Sequence, residues 1–363
     1  MRRIIGIVLA VLLIGGVGAA VVAGREQDTS TATKTVRGVI GSEKAEFFAD
    51  PDVVKALTAR GFTVKTETAG SWAMEDLDLK GYDFAFPSST APADALAEKY
   101  KARQPLPRPF YSPLVVVAHR AAASVLVANG LATLEPGGGR GTLKMAEYLK
   151  AAEGDRTWQQ LKGAARHTEL TGTLYITSAD PLSSNSGALY LAAASYVAAG
   201  GKVAANTADV ARTAPLMRKL ISVQGAQQPS SDAPFRDFIS GAGNPLVLVY
   251  EQQIAALLVQ KRPVDDLTVL YPDTTATSDH TVVPLTDNGR ALGELLSNDP
   301  ELRKLAVRHG FRPQGDAQEF TAATAAHTTY VNQKLTGLRQ APVPASAVLH
   351  EMAGRARGQG GTS

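Results

Sequence analysis

The chain has 363 residues, with 37 Lys and Arg against 34 Asp and Glu, a net charge of +3, and 44% hydrophobic and 20% charged content. That composition is globular and excludes wholesale disorder, and the length suits two or three domains rather than one core. With no cysteine, disulfides, thiolate metal sites, a cysteine nucleophile and thioether lipidation are excluded. The basic residues are scattered and form no stripe that would track nucleic-acid phosphates.

Arg2 and Arg3 precede an unbroken apolar or glycine run from Ile4 to Ala23. Twenty helical residues at about 1.5 Å each span the roughly 30 Å core of a bilayer. The two arginines hold the N-terminus in the cytoplasm and send the rest outward. A cleaved signal peptide is the rival reading, with Val21-Val22-Ala23 as its small-residue site; the run exceeds the usual length of about 7–15 residues for such a core, which favours a retained anchor. Residues 1–24 are thus read as an anchor or signal, and 25–35 as a flexible linker. Either way the main body is expected outside the cytoplasm, as a single-pass membrane protein or as a secreted one. At the other end, residues 339–363, rich in Pro, Gly and Arg, read as a disordered tail.

From Val36 onward strands and helices alternate, which predicts α/β architecture with parallel sheet and helical crossovers. Val36–Ile40 reads as a strand that turns at Gly41-Ser42. The next helix carries Asp50 as cap, Pro51 as first residue and Gly61 as stop. Strands Phe62–Thr68 and Tyr82–Phe86 follow, running out into Gly70-Ser71 and Pro87-Ser88-Ser89. Three successive strands therefore end in small hydroxyl residues. Ligands of open parallel sheets bind at that end, beside unpaired helix N–H groups.

Further on, Ser112–His119 reads as a buried strand, Lys144–Ala152 and Thr157–Leu161 as helices, and Leu174–Thr177 as a strand. The loop Ser183-Ser184-Asn185-Ser186-Gly187 then opens an alanine-rich helix that Gly200-Gly201 stops. One or two serines would suffice as caps, and this loop has more, so it is a candidate anion or carboxylate contact. Glu251 follows the strand Leu246–Tyr250, where it could meet a cationic group, lock an interlobe bond or cap the next helix. Leu267–Tyr271 and Thr281–Leu285 read as strands separated by a polar loop, and Asn288–Ser297 and Pro300–His309 as a helix pair closing on Gly310-Phe311.

In their order these features resemble the bacterial extracellular solute-binding proteins of the type II periplasmic-binding fold. The likeness rests on Gly41-Ser42, Pro113-Leu114-Val115-Val116-Val117, the Ser183–Gly187 loop, Leu270-Tyr271-Pro272, His280–Leu285 and Gly310-Phe311-Arg312-Pro313. It spans about 300 residues and departs from the usual pattern in lacking a lipid-anchoring cysteine, replaced here by the apolar N-terminal run. The resemblance implies two lobes, 36–112 with 283–338 and 113–282, joined by a two-strand hinge. It implies a small polar, anionic ligand held by Ser42, Ser71, Ser88 and Ser89 on one side and Ser183, Ser184, Asn185 and Ser186 on the other. Glu251 completes the candidate set. It also implies transport through an ABC-type permease, or sensing, with no cofactor, metal or nucleic acid.

Catalysis finds little support: there is no Gly-x-Ser-x-Gly elbow, no His-Glu-x-x-His, and the six histidines show no ligand spacing. Two alternatives stay open, a tethered interaction or sensory module on the same fold without transport, and a serine-dependent hydrolase.

Overall fold

The computed structural model describes residues 33–315 and 317–359. The expected membrane span Ile4–Ala23 lies outside them; among the described residues no helix is long and apolar enough to cross a membrane.

The first part of the chain runs β1 (Lys34–Ile40), α1 (Ala45–Ala49), α2 (Pro51–Ala59), β2 (Phe62–Thr68), β3 (Phe84–Phe86) and α3 (Thr90–Tyr100). Strands β1, β2 and β3 are parallel, with β1 central. The grammar of α2 is as expected: the Asp50 carboxylate accepts from the Asp52 amide, Pro51 occupies the first turn, and Gly61 beyond it takes φ +82. A left-handed residue there favours glycine, which has no Cβ to clash.

The second part begins with β4 (Phe110–Ala118), α4 (Arg120–Ala128), the hairpin β5 (Ala132–Leu134) and β6 (Arg140–Leu143), and α5 (Met145–Glu153). It continues with α6 (Asn185–Ala198), α7 (Thr207–Ser222), α8 (Asp232–Ile239), β7 (Leu246–Tyr250), α9 (Glu251–Val259), β8 (Thr268–Pro272), β9 (Thr274–Thr275) and β10 (Thr277–His280). Here the parallel expectation fails. Strand β4 pairs antiparallel with β7, β8 and β10, while β6 runs parallel to β8. The predicted strand Leu174–Thr177 contributes one bridge, Thr177 to Val247, and the supposed polar loop after Pro272 carries β9 and β10. The helix expected at Thr157–Leu161 is a single 3-10 turn, Trp158–Gln160.

The chain then returns. β11 (Val283–Pro284) pairs antiparallel with β3 in the first sheet, and α10 (Asp287–Asn298) and α11 (Pro300–Arg308) cover that sheet. Val36, Ile40, Phe84 and Phe86 share a core there with Leu292, Leu296 and Leu302. Two expectations fail beyond this point. β12 (Arg312–Pro313) pairs with β4, so the chain passes between the lobes a third time. α12 (Gln318–Ala323) follows, and Phe320, Val331, Leu335 and Leu338, expected in the first lobe, pack with Val115, Val117 and Val249 of the second. Nor do residues 339–359 form a disordered tail. β13 (Arg339–Gln340) pairs with β9, and α13 (Ser346–Ala356) packs along α7 and α6 and reaches α3.

The composition of α13 explains why its helical nature was missed. Leu349, Met352, Ala353 and Ala356 recur at helical spacing and are buried, but Gly354 and the arginines around them dilute the signal. Leu349 packs with Trp72 and Ala91 of the first lobe and Ala188 and Ala192 of the second. The Ser346 hydroxyl donates to the Ala91 carbonyl at 2.8 Å, and the rings of Trp72 and His350 lie 4.4 Å apart. Truncating Met352 to alanine should therefore cost about 2–5 kcal/mol in a denaturant titration; a change below about 0.5 kcal/mol, as for an exposed site, would contradict this packing.

Candidate functional site

The register of the first sheet sets the site. Ile40 is level with Thr68 on one side and Phe86 on the other. All three strands therefore stop on one line, and the turns that follow, Gly41-Ser42, Gly70-Ser71 and Pro87-Ser88-Ser89, form a single rim. Opposite stands the start of α6 with Ser184, Asn185 and Ser186, all buried. Tyr250, at the end of β7, and Ser278, on β10, close the far side.

The two sides touch directly. The Trp72 amide donates to the Ser183 carbonyl at 3.1 Å, and the Ser89 hydroxyl donates to Asn185 Oδ1. Asn185 Nδ2 in turn donates to the Tyr250 hydroxyl at 3.0 Å and to Ser278 Oγ at 3.3 Å, while Ser278 donates to the Ser88 carbonyl. Gly70 permits this closeness, because a Cβ there would lie 2.3 Å from the Ser183 carbonyl oxygen. The lobes are closed, and the cavity left between Ser42, Ser71, Ser88, Ser184, Asn185 and Tyr250 is about 10 Å³, room for a single water.

Sequence reasoning overlooked what fills the middle. Glu43, 9% exposed, places its carboxylate at the rim and accepts from Ser88 Oγ at 2.6 Å and from the fully buried Lys44 ammonium. Ser88 also accepts from Lys44 at 3.3 Å, and its amide donates to Ser71 Oγ at 3.0 Å. His280, in the hinge, lies with Nδ1 3.2 Å from Lys44 Nζ and 3.3 Å from Glu43 Oε1; its Nε2 is buried without a partner. Burial works against the charge of Glu43, but Lys44 and His280 outweigh it and hold its pKa well below the usual range. Burial lowers the pKa of Lys44, with Glu43 opposing. Burial, reinforced by the Lys44 charge and only partly offset by Glu43, brings His280 down to about 4. The available signal was Glu43-Lys44 beside Gly41-Ser42: a charged pair at a rim of otherwise neutral residues.

A second space adjoins the first. Ser42 and Glu43 line it from one side and Asp232, Phe235, Arg236, Gln252, Leu257 and Arg262 from the other, around about 450 Å³. Burial raises the pKa of Asp232; a hydrogen bond from Ser42 opposes this and the Glu43 charge adds to it.

Of the nine residues expected at the site, Ser42, Ser71, Ser88, Ser184 and Asn185 surround the small cavity. Ser89 reaches it through its bond to Asn185, and Ser186 is fully buried against the Ser184 hydroxyl at 3.0 Å. Ser183 contributes its carbonyl to lobe contact, and its hydroxyl turns back to Asp180 at 3.5 Å. Glu251 is not at the site. Its carboxylate accepts from Arg312 at 2.5 and 2.9 Å and from the Tyr271 hydroxyl, and it is 1% exposed. Strand-end position alone did not reveal Arg312, sixty-one residues away, as its partner. Among the described residues no group of three or more His, Asp or Glu side chains could hold a metal ion.

Neither a family model nor a curated protein matches the sequence. Solved structures do match. The sulfate-binding protein SubI from Mycobacterium tuberculosis H37Rv is 16% identical, with TM-score 0.51 over 87% of this chain and 95% of that one. The periplasmic binding protein AfuA from Actinobacillus pleuropneumoniae, with fructose-6-phosphate bound, is 13% identical, with TM-score 0.57 over 90% and 99%. Iron-bound HitA from Pseudomonas aeruginosa is 10% identical, with TM-score 0.55 over 90% and 99%. At such identity the likeness concerns the fold: a mixed α/β, two-lobed, periplasmic-binding-like architecture.

Two measurements probe this geometry. The folded pKa of His280, about 4, lies below the roughly 6.5 of an unfolded chain. The unfolded state therefore takes the proton first, so stability is complete above about pH 6.5 and declines as pH falls towards 4. Urea titrations of the wild type should show a slope approaching about 1.4 kcal/mol per pH unit from this group, absent in His280→Asn; equal slopes in both proteins would refute it. Separately, Glu251→Ala leaves the Arg312 guanidinium buried and unpaired, so unfolding free energy should drop by about 3–5 kcal/mol. A neutral effect would mean the pair is solvated.

Proposed function

We propose that this protein is an extracytoplasmic solute-binding protein that captures a small polar molecule between its lobes, for transport through a membrane permease or for sensing. The observation that carries the proposal is the closed contact between the aligned strand ends of the first sheet and the start of α6. Hydroxyl and amide groups from both sides complete each other's hydrogen bonds there, so the closed form gains contacts that an open form lacks. A solute that bonds to both rims shifts the balance towards closure by its differential affinity for the two forms. The fold shared with sulfate-binding, sugar-phosphate-bound and iron-bound proteins supports this reading, as does the apolar run at Ile4–Ala23, which would hold the body at the outer membrane face.

A second reading, a tethered interaction or sensory module without transport, is favoured by one feature. Leu349 of α13 packs against residues of both lobes at once, which would resist opening. Thermal-shift screening of the full chain against sulfate, phosphate, amino acids and sugars separates the two. A ligand at 100 times its Kd adds about 2.7 kcal/mol, an increment readily seen. For any solute that registers, the double variant Ser184→Ala/Asn185→Ala should bind about 10–100 times more weakly, in keeping with a few lost hydrogen bonds at about 0.5–1.5 kcal/mol each. Its scattering profile should also be more open. Unchanged affinity in the double variant would remove α6 from the site.

A further inference from the structure

We infer that Glu43 is an internal ligand: its carboxylate occupies a seat built by Gly41, Lys44, Ser88 and His280, and a carboxylate-bearing solute enters the cleft by taking its place. The inference rests on the solute-capture reading above and adds the chemical class of the solute and the contact that competes with it.

The donors of this seat converge on one atom. Lys44, with no exposed area, directs its ammonium at Glu43 Oε1, and its other polar neighbours are Ser88 Oγ at 3.3 Å and His280 Nδ1 at 3.2 Å. Ser88 Oγ donates to the same carboxylate oxygen at 2.6 Å, and His280 Nδ1 stands 3.3 Å from it. Backbone shape completes the fit. A Cβ on Gly41 would come within 2.6 Å of both carboxylate oxygens and of Ser88 Oγ, so glycine here leaves the room in which the carboxylate rests. The seat lies where the strands of the first sheet end, beside Ser184 and Asn185 of the opposite lobe. A solute reaching the closed rim therefore meets donors that the chain's own carboxylate already holds.

Charge and size define what can replace it. Without a carboxylate the buried ammonium loses its counter-ion, which is costly, so the replacement must be anionic. The rim cavity has about 10 Å³ to spare, too little for the additional oxygens of a tetrahedral oxyanion. A planar carboxylate takes the volume of the group it displaces. Glu43 also lines the adjoining space of about 450 Å³, as do Arg236 and Arg262, so the displaced side chain has both room and cations to meet.

Acetate reproduces the atoms that Glu43→Ala deletes, and acetamide reproduces their shape without the charge. Melting curves of the full-length variant in acetate, in acetamide and in chloride at matched ionic strength test the inference. At about ten times its Kd, acetate should raise the folded-to-unfolded ratio of Glu43→Ala about tenfold. Acetamide and chloride should lack the effect, and so should the wild type, whose seat is taken. Adding Gly41→Ala should abolish the response, since the new Cβ fills the acetate position. Equal responses to acetate and acetamide, or in the single and double variants, would overturn the seat. If Glu43→Ala does not fold alone, dilution from urea reads the same difference: folding regained in acetate only supports the inference, and folding in neither additive overturns it. Scattering from the wild type freed of carboxylates separates this inference from solute capture. A closed profile is expected; an open one that closes on adding a solute would overturn the internal ligand and leave capture standing. Acetate rescue in a protein that no solute stabilises would keep the seat and overturn both capture and displacement.

Discussion

A carboxylate and an ammonium lie side by side, both buried, where the two lobes meet. Glu43 and Lys44 are adjacent in sequence, yet their side chains meet above Phe86, with the Lys44 nitrogen 4.8 Å from its ring centre. Burying such ions is costly unless each is paired and fully hydrogen-bonded. Here Ser88 and His280 supply the extra bonds, and they come from β3's end and from the hinge. The pair therefore ties three separate stretches of chain to one geometry. Because Ser88 also accepts from Ser278 through its carbonyl, the same cluster joins the rim of the first sheet to β10 of the second.

Closure depends on backbone as much as on side chains. The approach of Gly70 to Ser183 lets an amide bond a carbonyl across the lobes, a contact no longer residue would allow. Asn185 then satisfies Ser89, Tyr250 and Ser278 with one amide group. Hydrogen bonding of this density leaves little free polar surface in the rim cavity.

Much of this was legible before any coordinates. Strand ends rich in serine, the Asp-Pro helix starts at Asp50 and Asp299, and the serine loop before α6 are local signals, and local signals survive folding. What the sequence concealed is long-range pairing. Glu251 looked like a ligand group because nothing near it in the chain announced Arg312. Glu43 and Lys44 drew no notice in the turn after β1, since burial of a charge is a tertiary property. The second sheet was misread as parallel for a related reason: β4 is apolar on both faces, and such a strand reads alike whether its neighbours run with it or against it. α13 was lost because glycine and arginine mask a stripe of only four buried residues.

The position of α13 has a mechanical consequence. Its residues are shared between Trp72 and Ala91 on one lobe and α6 and α7 on the other, so the halves cannot part without peeling this helix from one of them. Any excursion to an open state must uncover backbone near Ser346, where α13 is fastened to Ala91. The C-terminal helix thus works as a seam, and its susceptibility to proteolytic cutting becomes a direct gauge of how often the clamshell gapes.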